Sequence, residues 1–208
     1  MTYIPEHFRA SDELALHEFM RTYDFATLVT NSPDGLIVSH VPLLVRGAGT
    51  KLALAGHVAR GNDHWRLMDG ATAAVAIFHG PHGYVSPTWY AAAPAVPTWN
   101  YGVVHAHGFP TAIDDEVFVR GVVEELVRRY EGQRRNGWRP EALPADAYRR
   151  MLGAIVGFEM RITTLDGKLK LGQNRSLEDR QRTIAGLENE GSREAASLAD
   201  FMRRHAKV

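Results

Sequence analysis

Cysteine is missing from all 208 residues, which excludes disulfides, thiolate metal ligands and cysteine nucleophiles. Long apolar runs are missing too. No stretch approaches the roughly 18 consecutive apolar residues of a membrane-spanning helix, and the opening MTYIPEHFRASDE holds no apolar signal core. A cytoplasmic protein without membrane association is the expectation. Net charge is absent as well, because 24 Lys and Arg balance 24 Asp and Glu. No global field draws nucleic acid, so DNA contact would need a local patch. A further absence is local: no Asp or Glu occurs from Gly70 to Ile113.

What fills that acid-free stretch is unusual. Phe78 to Phe109 reads FHGPHGYVSPTWYAAAPAVPTWNYGVVHAHGF and holds His79, His82, His105, His107, Trp89 and Trp99 among several prolines. Rigid rings and fixed turns with a few polar groups between them suit a site that grips a flat or apolar ligand. The chain as a whole is ordinary for one folded unit: with 45% apolar and 23% charged residues it can bury roughly 70% of its unfolded surface.

In chain order, Ser11 caps a helix that runs to about Tyr23. Phe25–Thr30 is β-rich and ends in the turn-former cluster Asn31 to Gly35, with Leu36–Val45 as the return strand and Pro42 confining it to an edge or bulge. Lys51–His57 is a third strand and Ala71–Phe78 a continuous apolar one, expected to be buried on both faces. Extended pieces follow at Tyr84–Ser86 and Thr98–Phe109, joined by a linker from Ala91 to Pro97. Asp114 to Tyr130 carries apolar residues at helical spacing, and a second helix covers Pro144–Leu152. Gly153–Thr164 returns to period two, and Asp166-Gly167 reads as a hairpin turn into Lys168–Leu171. The expected architecture is α+β: a single domain over 1–208 built on a small antiparallel barrel of about six strands with peripheral helices. A helical insertion is expected at about 114–152 and a helical tail at about 176–208.

Several residues can carry chemistry. The turn Gly56-His57-Val58-Ala59-Arg60-Gly61-Asn62 offers a cation, an amide and free backbone N–H groups, a set that suits a phosphate, or equally a plain surface turn. His105 and His107 share a strand face, so with His79 and His82 they could form an all-nitrogen metal site, although no carboxylate is near in sequence to balance the charge. Trp89, Tyr90, Trp99 and Tyr101 could stack a ring, with Ser86, Thr88, Thr98 and Asn100 as polar partners, or could fill a core or a dimer seam. Ser86 lacks the GxSxG setting of a hydrolase nucleophile. Lys168, Lys170, Gln173, Asn174 and Arg175 leave the last strand as a polar run able to meet an anion.

FATLVTN, GHVARGN, FHGPHGYVSPTWY, VPTWNYGVVHAHG, AIVGFEMRI and GKLKLGQNRSLEDR, in that order over about Tyr3 to Arg182, together resemble the PaiB family of FMN-binding negative transcriptional regulators. The resemblance implies a split β-barrel like that of pyridoxamine phosphate oxidase, FMN as cofactor and a homodimer with flavin at the seam. Carried over onto the matching motifs, His57, Arg60 and Asn62 become phosphate or flavin-edge candidates. Ser86, Trp89, Trp99 and Asn100 become ring-side candidates, and Lys170, Gln173 and Asn174 complete the set. Gly61-Asn62-Asp63 departs from the Ala-Asn-Pro expected of the family at that turn. The implied role is a transcriptional regulator or flavin-dependent sensor, with an oxidoreductase using NAD(P)H as the alternative and a His-rich metal protein as another. Direct DNA contact would fall to Arg193, Arg203 and Arg204 of the tail, yet SREAASLADF carries one basic residue, poor material for reading base edges.

Overall fold

The first hairpin is tighter than the turn-former cluster implies. In the computed structural model, β2 (Phe25–Ser32) and β3 (Gly35–Pro42) pair antiparallel all the way to Ser32 opposite Gly35, leaving only Pro33-Asp34 as the turn. Gly35 takes φ +119° there, a conformation that L side chains rarely adopt, and Ser32 Oγ donates to its carbonyl at 2.7 Å. Residues 2–91 and 93–205 are described; Ala92 of the expected linker and 206–208 of the expected tail lie outside them.

Among the described residues the sheet has eight strands where six were expected, in the order β3, β2, β6 (Ala74–Val85), β7 (Thr98–Ile113), β8 (Ile155–Lys170), β5 (Ala53–Ala59) and β4 (Leu44–Arg46), with the short β1 (Arg9–Ala10) also paired to β8. One added strand arises because Leu36–Val45 does not run through. Pro42 has no N–H to donate, the Leu43 N–H turns to the Asp24 carbonyl at 2.9 Å, and the chain resumes as β4 (Leu44–Arg46), paired to β5 (Ala53–Ala59). The class is nonetheless the expected one, α+β on an antiparallel split β-barrel, with five α-helices among the described residues.

Two further expectations are corrected. β6 runs from Ala74 to Val85, straight through the histidine pair, and its buried and less buried positions alternate, so it is not buried on both faces. Asp69 delays its start by accepting from the Ala71 and Thr72 N–H groups through one carboxylate oxygen. Nor is there a hairpin at Asp166-Gly167. β8 continues unbroken from Ile155 to Lys170, and Gly167 and Lys168 pair with Ala10 and Arg9. The glycine is there for packing: a Cβ on it would lie 2.3 Å from Leu16 Cδ2 on α1 (Glu13–Thr22) and 3.1 Å from the Ala10 Cβ.

The chain divides into two compact units, one of Met1–Phe19, Phe78–His105 and Asp166–Val208, the other of Met20–Ile77 and Ala106–Leu165. In the first, α4 (Leu177–Asn189) and α5 (Arg193–His205) pack on each other, each started by a serine: Ser176 Oγ accepts from Asp179 N and Ser192 Oγ from Ala195 N. α5 buries Leu198, Phe201 and Met202, and the Phe201 ring meets Phe19 edge-on at 6.0 Å. The tail helices therefore supply core, not an appendage.

In the second unit, β5 pairs with β8 from Ala53 opposite Arg161 to Ala59 opposite Ile155. α2 (Glu116–Glu131), begun by Asp115 accepting from Phe118 N, packs Val122 and Leu126 onto Leu44 and Ala55. α3 (Ala145–Gly153) adds Tyr148 and Leu152 against Val119 of α2. Ion pairs fix α2 from outside: Arg46 Nη2 to Glu125 at 2.6 Å, and Arg129 to Asp24.

Gly167→Ala tests the packing role directly. Equilibrium urea unfolding is expected to show a loss of about 2 kcal/mol from overpacking. Adding Leu16→Ala, which removes the clashing methyl, is expected to make the glycine change nearly neutral, an outcome that a turn glycine would not give.

Candidate functional site

At the end of β5 the phosphate-suited turn proves heavily committed. Arg60 Nη1 and Nη2 bond the two Asp114 carboxylate oxygens at 2.9 and 2.6 Å, Nε donates to the Gly153 carbonyl at 2.7 Å, and Nη2 also reaches the Ile155 carbonyl at 3.2 Å. Each partner raises the other's ionisation: the bonded carboxylate lifts the Arg60 pKa further, and the guanidinium holds Asp114 below the usual carboxylate range. Of the five donors on a guanidinium, four are used by the fold. A phosphate at this turn would compete with existing bonds.

Asn62 is equally occupied. Its Oδ1 accepts from His64 N at 3.1 Å, starting the 3-10 turn Asp63–Leu67, and its Nδ2 donates to Ser39 Oγ at 2.9 Å. Ser39 is in turn 2.8 Å from His64 Nδ1, and His64 Nε2 is 2.8 Å from Thr30 Oγ1. His64 is fully buried, and burial pushes its imidazole below the ordinary value. This polar chain anchors the turn from within. His57 differs from both: its Nδ1 is buried without a hydrogen-bond partner among the described residues, and burial lowers its pKa.

In the other unit, Lys170 and Trp99 come together. Lys170 Nζ donates to Thr98 Oγ1 and, at 2.6 Å, to the Trp99 carbonyl, which fixes the ammonium and leaves one of its three donors. Burial, then repulsion from Lys168, lowers its pKa. The Trp99 ring is 54% exposed, with the exposed rings of Tyr84 and His82 each 6.4 Å from it, centre to centre. Lys168 Nζ lies 5.5 Å from the ring centres of Tyr3 and Tyr101 and donates to the Tyr3 carbonyl. Cations and open aromatic faces thus share one surface. The spacing of His82 and Tyr84, two apart on a strand and hence on one side, was a readable signal for adding Tyr84; Tyr3, far off in sequence, gave none.

The remaining candidates serve the fold of that unit. Ser86 Oγ accepts from Thr88 N and starts the turn Pro87–Trp89. Trp89 lies on α4, where a Cβ on Gly186 would stand 2.4 Å from its ring. Asn100 is buried and its amide reaches Met202 Sδ at 3.5 Å. Gln173 closes its own turn by accepting from Leu171 N and donating to the Leu169 carbonyl. Asn174 is exposed on that turn. As for the histidines, His105 Nδ1 is 2.9 Å from Thr2 Oγ1, and no cluster of three or more His, Asp or Glu able to hold a metal occurs among the described residues.

Comparison with known proteins decides the family. The family described as "Putative FMN-binding domain" matches residues 2–164. Protease synthase and sporulation protein PAI 2 of Bacillus subtilis (strain 168) is 31% identical over 208 residues, 99% of this chain and 98% of that one. The chain belongs to the PaiB family of FMN-binding proteins. Its fold is shared with the flavocytochrome Anf3 of Azotobacter vinelandii (TM-score 0.64, 14% identity, covering 86% of this chain and 78% of that chain). It is shared also with the FAD and heme binding protein of Mycobacterium smegmatis (TM-score 0.59, 17% identity, 79% and 74% covered). The cofactor of this PaiB-family chain is FMN. The donor set beside Trp99 fits it: a pinned ammonium with a spare N–H suits a phosphate, and half-open rings suit the flat tricycle. No helix among the described residues is long and apolar enough to cross a membrane.

The buried His64 makes stability pH-dependent in a stated direction. Its folded pKa lies below the unfolded 6.5, so the unfolded chain binds more protons just below that pH and stability is lost as pH falls through it. Urea midpoints measured from pH 8 to 5 are expected to drop below about pH 6.5, and His64→Gln is expected to flatten the drop.

Proposed function

We propose that this PaiB-family protein binds FMN on the surface shared by Trp99, Tyr84, Lys168 and Lys170, and acts as a flavin-loaded regulator. The observation that carries the proposal is the Lys170 ammonium, held by Thr98 and the Trp99 carbonyl beside half-exposed rings. Lys170 and Lys168 would meet the phosphate, Thr98 would orient Lys170, and Trp99 with Tyr84 would flank the ring. An anion at Lys170 would also offset the burial that now lowers its pKa. His57, Arg60 and Asn62 would then not be flavin contacts, and Arg60 and Asn62 would serve as supports of their own turn. FMN, when bound, supplies hydride or one-electron chemistry; the chain's part is to bind and orient it and to shield it from water.

Shielding favours a second copy of the chain. Tyr3, Tyr84 and Trp99 are 81%, 43% and 54% exposed, and a homodimer seam over them would bury apolar surface and cover a ring lying there. A regulatory role agrees with the relative's name, which ties that protein to protease synthesis and sporulation. If DNA is the target, contact falls to Arg193 and Arg204 of α5. Arg203 is already paired with Glu188 and with Asp200.

Titrating the protein with FMN, followed by flavin absorbance and fluorescence, is expected to give a dissociation constant below about 100 μM, or about −5.5 kcal/mol. Lys170→Met is expected to weaken it about tenfold, and sedimentation is expected to show a dimer. An unchanged affinity in Lys170→Met together with Trp99→Ala would move the flavin elsewhere. Sustained NADPH oxidation by the loaded protein would assign an oxidoreductase instead. A gel shift at about 150 mM salt that Arg193→Ala with Arg204→Ala abolishes would establish the DNA contact.

A further inference from the structure

The segment joining α2 to α3 carries the local basic patch that the neutral chain as a whole lacks. Arg128 to Arg139 reads RRYEGQRRNGWR, five arginines with a single acid. Guanidiniums this close repel one another unless anions stand between them, so each needs its partner named. Arg129 is paired with Asp24, and Arg134 donates to the Tyr130 carbonyl at 3.2 Å and lies 3.6 Å from Glu131. Arg128, Arg135 and Arg139 are different. They are exposed, and among the described residues their side chains make no hydrogen bond, ion pair or ring contact. All three line one cavity of about 410 Å³, within the range of small-molecule sites. Trp138, 43% exposed, lines it with them.

The loop is fixed, and its remaining charges narrow what the cavity takes. The Trp138 N–H donates to the Glu131 carboxylate at 3.0 Å and the Gly137 N–H to the Arg134 carbonyl at 3.1 Å. Gly137 permits this close fold, since a Cβ on it would stand 2.2 Å from the Glu131 carbonyl oxygen. Glu124, Glu131 and Glu141 also line the cavity. Glu131 is engaged with Trp138 and Arg134, and Glu124 acts on Arg120, whose pKa is raised by Glu116 first and by Glu124 as well. Three uncommitted guanidiniums therefore stand against the one carboxylate of Glu141, so an anion fits and a cation does not. Guanidiniums meet phosphate oxygens two bonds at a time and stay charged at every working pH. A half-open indole gives a face on which a base stacks, and a free carboxylate accepts from a base's exocyclic amine. We infer that the cavity at the α2–α3 loop binds a nucleotide, with its phosphates on Arg128, Arg135 and Arg139 and its base on Trp138. This site lies within the second compact unit, whereas Lys170 and Trp99 belong to the first.

Calorimetric titration of the FMN-loaded full-length protein with ADP, pyrophosphate and adenosine tests this. At about 50 mM salt, ADP is expected to bind with a dissociation constant of about 100 μM or tighter. Pyrophosphate and adenosine, each offering one half of the contacts, are expected to bind about tenfold more weakly. Raising the salt to about 150 mM is expected to weaken ADP binding severalfold. Arg135→Gln with Arg139→Gln is expected to weaken ADP about tenfold while leaving adenosine and FMN affinities unchanged. Trp138→Leu is expected to bring ADP down to the affinity of pyrophosphate. Should that variant fail to fold by near-UV circular dichroism, the arginine pair, exposed and unbonded, still decides. No binding at about 1 mM ADP, full ADP affinity in the folded arginine variant, or pyrophosphate binding as tightly as ADP would overturn the inference. So would displacement of ADP by free FMN. ADP binding retained in a preparation that takes up no FMN would uphold it and count against the flavin proposal alone.

Discussion

One guanidinium fixes the geometry of the larger compact unit. Arg60 leaves the end of β5 and bonds the Asp114 carboxylate, just before α2, and the carbonyls of Gly153 and Ile155, at the junction of α3 and β8. Three segments distant in sequence are thereby held at one point. With both ends of the helical insertion fixed in this way, α2 lies over Leu44 and Ala55 and α3 over Val119. The bidentate pairing needs the planar fork of arginine. It also explains why a residue type associated with phosphate is unavailable for one here.

The smaller unit relies on close approach. Its tail helices press side chains against strands that carry glycine at the contact: a Cβ on Gly102 would stand 2.8 Å from the Phe201 ring, and one on Gly83 would stand 2.9 Å from Leu198. Those contacts use the apolar faces of α4 and α5. Lys168 and Lys170, on the end of β8, share this unit with the aromatic rings of β6 and β7. The candidate flavin surface therefore rests on packed strands, and its cations are held by backbone carbonyls of Tyr3 and Trp99.

Much of this was legible from the chain. Period-two and helical patterns gave the class and the insertion helices because burial on one face imposes them. The order of motifs gave the family, and with it FMN. Three things were not legible. Asp166-Gly167 has the composition of a turn, and only the position of Leu16, about 150 residues earlier, gives its glycine a packing role instead. Arg60 reads as an anion contact until Asp114 is seen beside it. The aromatic block reads as a single wall, whereas Trp89 packs on α4, Asn100 is buried beside Met202, and Trp99 stays open. In each case the deciding neighbour is remote in sequence, which local propensity cannot sense.

The unbroken course of β8 carries the fold past the end of the family match. The family match stops at residue 164, within a strand that continues to Lys170 and takes β1 as its neighbour only at Gly167 and Lys168. A fragment cut at that boundary would sever the strand and lose Lys168, Lys170 and both tail helices, and with them the core around Phe201. The likeness to the Bacillus subtilis relative runs on through that tail, over 99% of the chain, and the smaller compact unit closes its hydrophobic interior only with this last fifth.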